Sequence, residues 1–270
     1  MKVSRSAYYS WIKKKCDGAG EKKKEMEQKV ISIFKEHSRR YGVRRIAAEL
    51  KAGAVKVSVY QVRKVMRKHG LKAIAPRSFI PKTTQSRHPY SISPNLLSER
   101  SLPLRPDEVW VGDITYIALS DGSFLYLAVW MDLFSRKIIG WQLKDHMKEA
   151  LVTEAFKKAL QSRTAPKGLI VHSDRGGQYA GNSFRKLIGS KEIIQSMSRA
   201  DNPYDNAFME SCFSRFKAEL VQDGAFDDPE DAQTEIFEYI EMYYNIKRRH
   251  SSLNYESPMS FENNYYFYKT

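Results

Sequence analysis

The apolar residues of segment 107–225 change rhythm partway along, and that change leaves few architectures open. Three strand-length runs come first: Val109–Leu119, Leu125–Phe134 and Lys137–Leu143. The turn pair Asp121-Gly122 and a second short connection leave no room for crossovers, so these runs form an antiparallel meander. The period then becomes helical. Lys148–Ser162 is amphipathic, Gly168–His172 is a short apolar strand, a helix lies around Ser183–Ile188, and Glu192–Ser196 is a last strand. The polar loop Ser198–Asp205 leads into a helix from Asn206 to Val221. A meander followed by strands alternating with helices specifies an α/β domain with a mixed five-stranded sheet. A C-terminal helical extension, 226–270, follows, with Asp228 capping a long helix from Pro229 to Lys247.

The N-terminal part has another character. Residues 1–100 carry 25 Lys and Arg against 7 Asp and Glu, a balance of +18, and residues 101–270 carry 20 against 24, a balance of −4. The whole excess behind the net charge of +14 therefore sits in the first third of the chain. Such a division points to one part that holds a polyanion and another whose work needs carboxylates. Residues 1–71 read as a basic all-α region: a short helix closed by Gly18 and Gly20, a helix over Glu21–Ser38, a break at Tyr41-Gly42, and a helix over Val43–Ala52. A last helix starts at Ser58, a good N-cap, and ends before Gly70. Its apolar face is Val59, Val62, Val65 and Met66, and its other face carries Gln61, Arg63, Lys64, Arg67 and Lys68. This is the look of a helix-turn-helix whose final helix lies in a DNA groove. Segment 72–106 holds six of the ten prolines among basic and serine residues and reads as a linker.

Other classes do not fit. The chain starts without a secretory signal, and no run approaches the ~18 apolar residues of a membrane span. Cys16 and Cys212 lack metal-ligand spacing, which fits a reducing setting: a cytoplasmic protein associated with the nucleoid.

Three acids lie where surface carboxylates seldom do. Asp113 is inside the strand sequence Trp110-Val111-Gly112-Asp113-Ile114-Thr115-Tyr116, and Asp174 ends the apolar strand that runs through His172. Glu210 sits one position from the apolar helix face of Met209, Cys212, Phe213, Phe216 and Leu220. A charge in a strand core is costly unless paired, and a divalent cation is one such partner. Taken singly, each acid has a bland reading, as a hydrogen-bonded core residue or a helix-surface charge. Asp132 and His172 are read in that structural way.

The segments WVGDITY (110–116), HSDRGGQY (172–179), NPYDNAFMESCFSRFKAE (202–219) and RHSSLNYES (249–257), with SRSAYYSW (4–11), resemble the second-frame product, often called OrfB, of two-frame insertion-sequence transposases. The resemblance covers nearly the whole chain. It implies a ribonuclease H-like integrase core, shared with retroviral integrases, in which Asp113, Asp174 and Glu210 are the catalytic and metal-binding triad. The family spacing of 35 residues between its second and third acids recurs between Asp174 and Glu210, and the cation seven residues after the glutamate is Lys217. The resemblance further implies two Mg²⁺ ions (Mn²⁺ substituting), cleavage at the terminal inverted repeats of a mobile element, and joining of the freed 3′-OH to target DNA. It implies a homo-multimer on double-stranded DNA and an upstream-frame partner or fusion. Cys212 and Phe213 depart from the family's usual aromatic pair.

Further residues stay open between two roles. Arg175 lies in a Gly-rich turn that either meets DNA or simply turns. Asn202, Tyr204 and Asn206 either set the Glu210 helix or touch DNA. Arg248 and Arg249, in Lys247-Arg248-Arg249-His250, either meet phosphate or complement the helix dipole. Two rivals remain to the transposase reading: a nuclease of the same fold that cuts without joining, and a DNA-binding fragment that occupies element ends and regulates the full enzyme.

Overall fold

The computed structural model describes residues 4–16, 19–75, 88–98, 100–199, 203–221 and 225–268. The chain divides into two compact units, Met1–Ala75 and Pro76–Thr270.

The first unit contains α1 (Arg5–Cys16), α2 (Ala19–Glu36), α3 (Val43–Ala52) and α4 (Val59–Lys68). Its core is Val30 and Phe34 of α2, Ile46, Ala47 and Leu50 of α3, and Val62, Val65 and Met66 of α4. Tyr41, fully buried between α2 and α3, stacks on His37 at 3.6 Å. Ser58 caps α4 reciprocally: its hydroxyl accepts from Gln61 N while the Gln61 carboxamide oxygen accepts from Ser58 N. Such a box fixes where the helix starts and which residues face out. Gly20 lies inside α2 instead of closing α1, and Gly18 lies outside the described residues.

The second unit is built on a five-stranded sheet of order β3-β2-β1-β4-β5. Its strands are β1 (Val109–Ala118), β2 (Phe124–Asp132), β3 (Ile138–Lys144), β4 (Ile170–Ser173) and β5 (Ile194–Met197). β1, β2 and β3 form the antiparallel meander, while β4 runs parallel to β1 and β5 parallel to β4. Gly122 turns β1 into β2 with a φ of +87°, and the Asp121 carboxylate accepts from Ser123 N across the turn.

Alternation along β1 separates two cores. Val109 and Val111 face one side with Met209, Phe213 and Phe216 of α8 (Ala207–Leu220). Trp110 faces the other, with Phe156 of α5 (Glu149–Ser162) and Phe184 of α7 (Asn182–Gly189). Gly140 of β3 allows α5 to lie against the sheet, because a Cβ there would stand 2.4 Å from Ala155 O. The Asp132 carboxylate is fully buried and satisfied by Ser135 and by Asp107 N, the structural role read from its sequence.

Two segments are more integrated than their sequences suggest. Residues 88–98 of the Pro-rich stretch pack along the second unit. Pro94 O accepts from Met197 N, Leu96 N donates to the Ser196 hydroxyl, and Leu96 and Leu97 pack on the first core. The alternation of proline with Leu and Ser permits this, because an extended strap uses side chains and a few carbonyls where a strand needs a full ladder. The C-terminal extension also completes that core. α9 (Pro229–Phe237) contributes Ala232 and Ile236, and the π-helical stretch Glu238–Tyr244 contributes Tyr239, Ile240 and Tyr244. A last helix, α10 (Pro258–Phe267), follows, started by Ser257 as N-cap. Among the described residues no helix is long and apolar enough to cross a membrane.

Candidate active site

The parallel pairing of β1 with β4 sets Val109 beside Ile170, Trp110 beside Val171 and Val111 beside His172. Asp113 lies two residues beyond Val111 in β1, and Asp174 lies two residues beyond His172, just past the end of β4, so the two acids leave the paired segment on the same side and at the same level. In-register residues of parallel strands project to one face, here the face shared with Val111 and covered by α8.

The electrostatics agree. Asp113 keeps part of its surface open to solvent, yet its carboxyl pKa is pushed well above the ordinary range. Burial is the main cause, followed by the negative charge of Asp174 and a smaller push from Glu210, while hydrogen bonds from Ile114 N and Asn206 oppose it. Oδ1 of Asp113 accepts from Ile114 N at 2.8 Å, and Oδ2 accepts from Asn206 Nδ2 at 3.0 Å. Oδ1 of Asp174 accepts from Gly176 N at 3.0 Å. Gly176 belongs there for a steric reason: a Cβ on it would meet that same oxygen.

Glu210 lies in the first turn of α8 and is exposed. Among the described residues no three His, Cys, Asp or Glu side chains converge closely enough to ligate one ion. Of the two other acids, Asp174 acts on Asp113 more strongly than Glu210 does. Seven residues along α8, Lys217 Nζ lies 3.6 Å from the centroid of the Tyr116 ring, and burial lowers its pKa to about 8.

His172 is a core residue, as read from its sequence. Its Nε2 bonds to Asp205 O at 3.0 Å and its Nδ1 to the Ser196 hydroxyl at 2.8 Å. The carbonyl can only accept, so Nε2 carries the proton. Burial lowers the ring pKa to about 4, which keeps it neutral.

Other sequence candidates fall differently. Arg175 is half-buried and its Nε donates to Ser198 O at 2.6 Å. The following glycines open the short helix α6 (Gly177–Ala180), with Gly176 at its N-cap, so the segment is a turn braced by the Arg175 bond. Arg248 is a clear correction. It is only 2% exposed and pairs in two places with buried Glu219, Nε to Oε2 at 2.6 Å and Nη2 to Oε1 at 2.7 Å. A guanidinium so enclosed cannot reach a phosphate. Arg249 is half-buried and donates to Tyr255 O.

In the first unit Gln61, Arg63, Lys64, Arg67 and Lys68 are all exposed on α4. Gln61 also serves the cap, and Lys68 pairs with Glu27 at 2.7 Å. Asn202 and the side chain of Tyr204 lie outside the described residues. Asn206 does not cap α8 through its side chain; its amide goes to Asp113 instead. That bond and the Lys217–Tyr116 stack were invisible in the sequence, because both join elements far apart along the chain.

A mixed sheet in this order, with one aspartate inside the first strand, a second just after the strand that pairs parallel to it, and a glutamate on the covering helix, defines the integrase-like class of polynucleotidyl transferases. Residues 103–203 and 191–258 match two integrase core domain models, and residues 21–79 match an HTH-like domain model. The transposase for insertion sequence element IS904 of Lactococcus lactis is 41% identical over 88% of this chain and 93% of its own length. Transposase InsF for insertion sequence IS3A of Escherichia coli is 36% identical over 97% and 91%. The fold resembles that in a simian T-cell lymphotropic virus intasome, with a TM-score of 0.50 and 16% identity over 80% of this chain and 69% of that one. The chain belongs to the IS3 family of insertion-sequence transposases.

Proposed function

We propose that this transposase moves its element with Asp113, Asp174 and Glu210 as ligands of a divalent metal, Mg²⁺ in the cell with Mn²⁺ able to replace it. The observation that carries this is the Asp113–Asp174 pair. Two carboxylates side by side, one of them held toward its protonated form by burial and by its neighbour, form an oxygen-donor set short of a cation. The fit extends to Asp174, whose turn leaves room at the carboxylate by having glycine at position 176. Bound there, two such ions supply Lewis acidity at a phosphodiester and a nucleophile drawn from water or from a 3′-hydroxyl.

On this reading the protein's own residues take the following parts. Asp113 and Asp174 form a preassembled half-site on the sheet, and exposed Glu210 closes it from the α8 side once DNA is seated. Lys217, half-buried on Tyr116, faces a phosphate beside the site. Arg63, Lys64 and Arg67, with Gln61 and Lys68 beside them, grip the terminal inverted repeats as duplex DNA. Water cleaves the element end, and the 3′-OH so freed attacks a phosphodiester of the target. The work is done by a homo-multimer assembled on DNA with the upstream-frame partner, at the nucleoid.

The test is strand cleavage and joining on a labelled duplex carrying the element's ends, with Mg²⁺ or with EDTA. Joining that needs Mg²⁺ and disappears in Glu210→Gln is the expected result. Undiminished cleavage by a folded Asp113→Asn would sink the assignment.

A further inference from the structure

We propose that Asn206 is a positioning residue of the catalytic centre: its carboxamide orients the Asp113 carboxylate and pins the start of the Glu210 helix to the sheet. The inference rests on the reading of the three acids as metal ligands.

Four observations combine. Asn206 is only 9% exposed, and its Nδ2 donates to Asp113 Oδ2 at 3.0 Å. With Ile114 N on Oδ1, both oxygens of Asp113 are then fixed, so the carboxylate plane is set before any cation arrives. Next, Asn206 occupies the N-cap position of α8, where an asparagine normally turns back onto its own helix, and it makes no such bond. Its side chain is spent on a strand instead. Third, its Oδ1 is buried with no hydrogen-bond partner among the described residues. A buried carboxamide oxygen retains the capacity to accept a further hydrogen bond. Finally, the residue before it is pinned as well, because Asp205 O accepts from His172 Nε2 at 3.0 Å. The two strands that carry the aspartates thus hold two consecutive residues of the turn, and Glu210 follows Asn206 by about one helical turn.

Orientation of a ligand by its hydrogen-bonded neighbour is worth about 10- to 100-fold in metal affinity or activity. The experiment compares the full-length protein with Asn206→Leu, a substitution of similar volume without polar atoms. Mn²⁺ binding without DNA is followed by the loss of its free paramagnetic signal. Amide hydrogen exchange over residues 205–211 is followed without metal. In the variant, Mn²⁺ binding weakens about 10- to 100-fold. Exchange across 205–211 accelerates, the turnover of strand joining falls with the metal affinity, and the affinity for element-end DNA measured in EDTA stays within about twofold of wild type.

Wild-type Mn²⁺ affinity in a folded Asn206→Leu overturns the proposal. So does a loss of affinity that only tracks a lowered urea midpoint, since a purely structural role would give that. If Asn206→Leu fails to fold, Asn206→Ser, which keeps a shorter donor, must show intermediate Mn²⁺ affinity; wild-type affinity there overturns the proposal equally. Failure of the underlying reading looks different: wild type itself binds no Mn²⁺, and Asp113→Asn behaves as wild type does.

Discussion

Replacing Arg248 by methionine separates a buried ion pair from a DNA-binding role. The guanidinium is 2% exposed and spends Nε and Nη2 on Glu219, itself 3% exposed, while Nη1 reaches His250 at 2.9 Å. Tyr239 Oη also donates to Glu219 Oε2 at 2.9 Å. Arg248→Met leaves the Glu219 carboxylate enclosed, with the tyrosine hydroxyl still bonded to it but its counter-charge gone, and breaking a buried pair in this way costs about 3–5 kcal/mol. With a urea slope of about 2 kcal/mol/M, the unfolding midpoint falls by about 2 M. Tryptophan fluorescence is a suitable probe, because Trp110, Trp130 and Trp141 are all buried in the second unit, next to the sheet that this pair supports. Joining Arg248→Met to Glu219→Leu removes both charges. The double variant is then less destabilised than either single one, because no isolated charge remains. A single-variant shift below about 0.3 M would refute the reasoning, as would additive losses in the double variant. A phosphate-binding Arg248 predicts another pattern: an unchanged midpoint, weaker DNA binding and a salt slope smaller by about 0.9.

Gly140→Ala forces a Cβ to 2.4 Å from Ala155 O, so α5 must leave the sheet; the expected result is insoluble protein or a melting temperature lowered by several degrees in a thermal scan. Asp113→Asn removes a carboxylate whose pKa is raised by burial and by Asp174, so at pH 7 the metal-free variant melts higher than wild type; added Mg²⁺ then raises the melting temperature of wild type only. Lys217 has a pKa lowered to about 8 by burial, so its ammonium is lost as pH rises through that value. End-DNA affinity of wild type, measured by fluorescence anisotropy, falls between pH 7 and 9, and that of Lys217→Met does not. Replacing Arg63, Lys64 and Arg67 together by alanine lowers the slope of log affinity against log salt by about 0.9 for each phosphate no longer neutralised, up to about 2.7, and a wild-type slope would show that α4 does not grip the backbone.

The sheet was legible because its signals are local. Period-two apolar runs joined by Asp121-Gly122 define a meander without tertiary information, and the two aspartates stand out because one interrupts an apolar strand run and the other ends one. The strap over 88–98 was not legible. Its anchors are the Pro94 carbonyl and the Leu96 amide on Met197 and Ser196, and a backbone group leaves no trace in composition. The misreading of Arg248 has a similar origin. Its partner Glu219 lies 29 residues away on α8, and a cation in a Lys-Arg-Arg-His run resembles a surface residue until that helix is in place. Asn206 illustrates the general case: an asparagine before a helix predicts a cap, and here the strand carboxylate takes the amide instead.

On the proposed reading of the three acids as metal ligands, the placement of the aspartates leaves the site half-built. Asp113 is fixed within β1 and Asp174 directly follows β4, which pairs with β1, so the negative charge of Asp174 bears on Asp113 in the folded chain. The pair therefore stands against the stability of the sheet until a cation joins it, and the protein bears that cost with the rest of the unit: the two cores, the Arg248–Glu219 pair and the Trp130–Phe184 stack. Glu210 is placed differently, on the exposed side of the first turn of α8, a helix whose start is held by Asn206 and Asp205. A third carboxylate fixed beside the first two would deepen the repulsion in the metal-free chain. Its exposed place on α8 limits that repulsion to a smaller push on Asp113, and on the proposed reading closure of the triad depends on what seats the helix: the Asn206 and His172 bonds and bound DNA. Metal affinity and DNA binding should then be coupled by linkage: end DNA tightens Mn²⁺ binding, and Mn²⁺ tightens end DNA by the same factor. Equal Mn²⁺ isotherms with and without the DNA end would show that Glu210 closes on the pair independently of substrate.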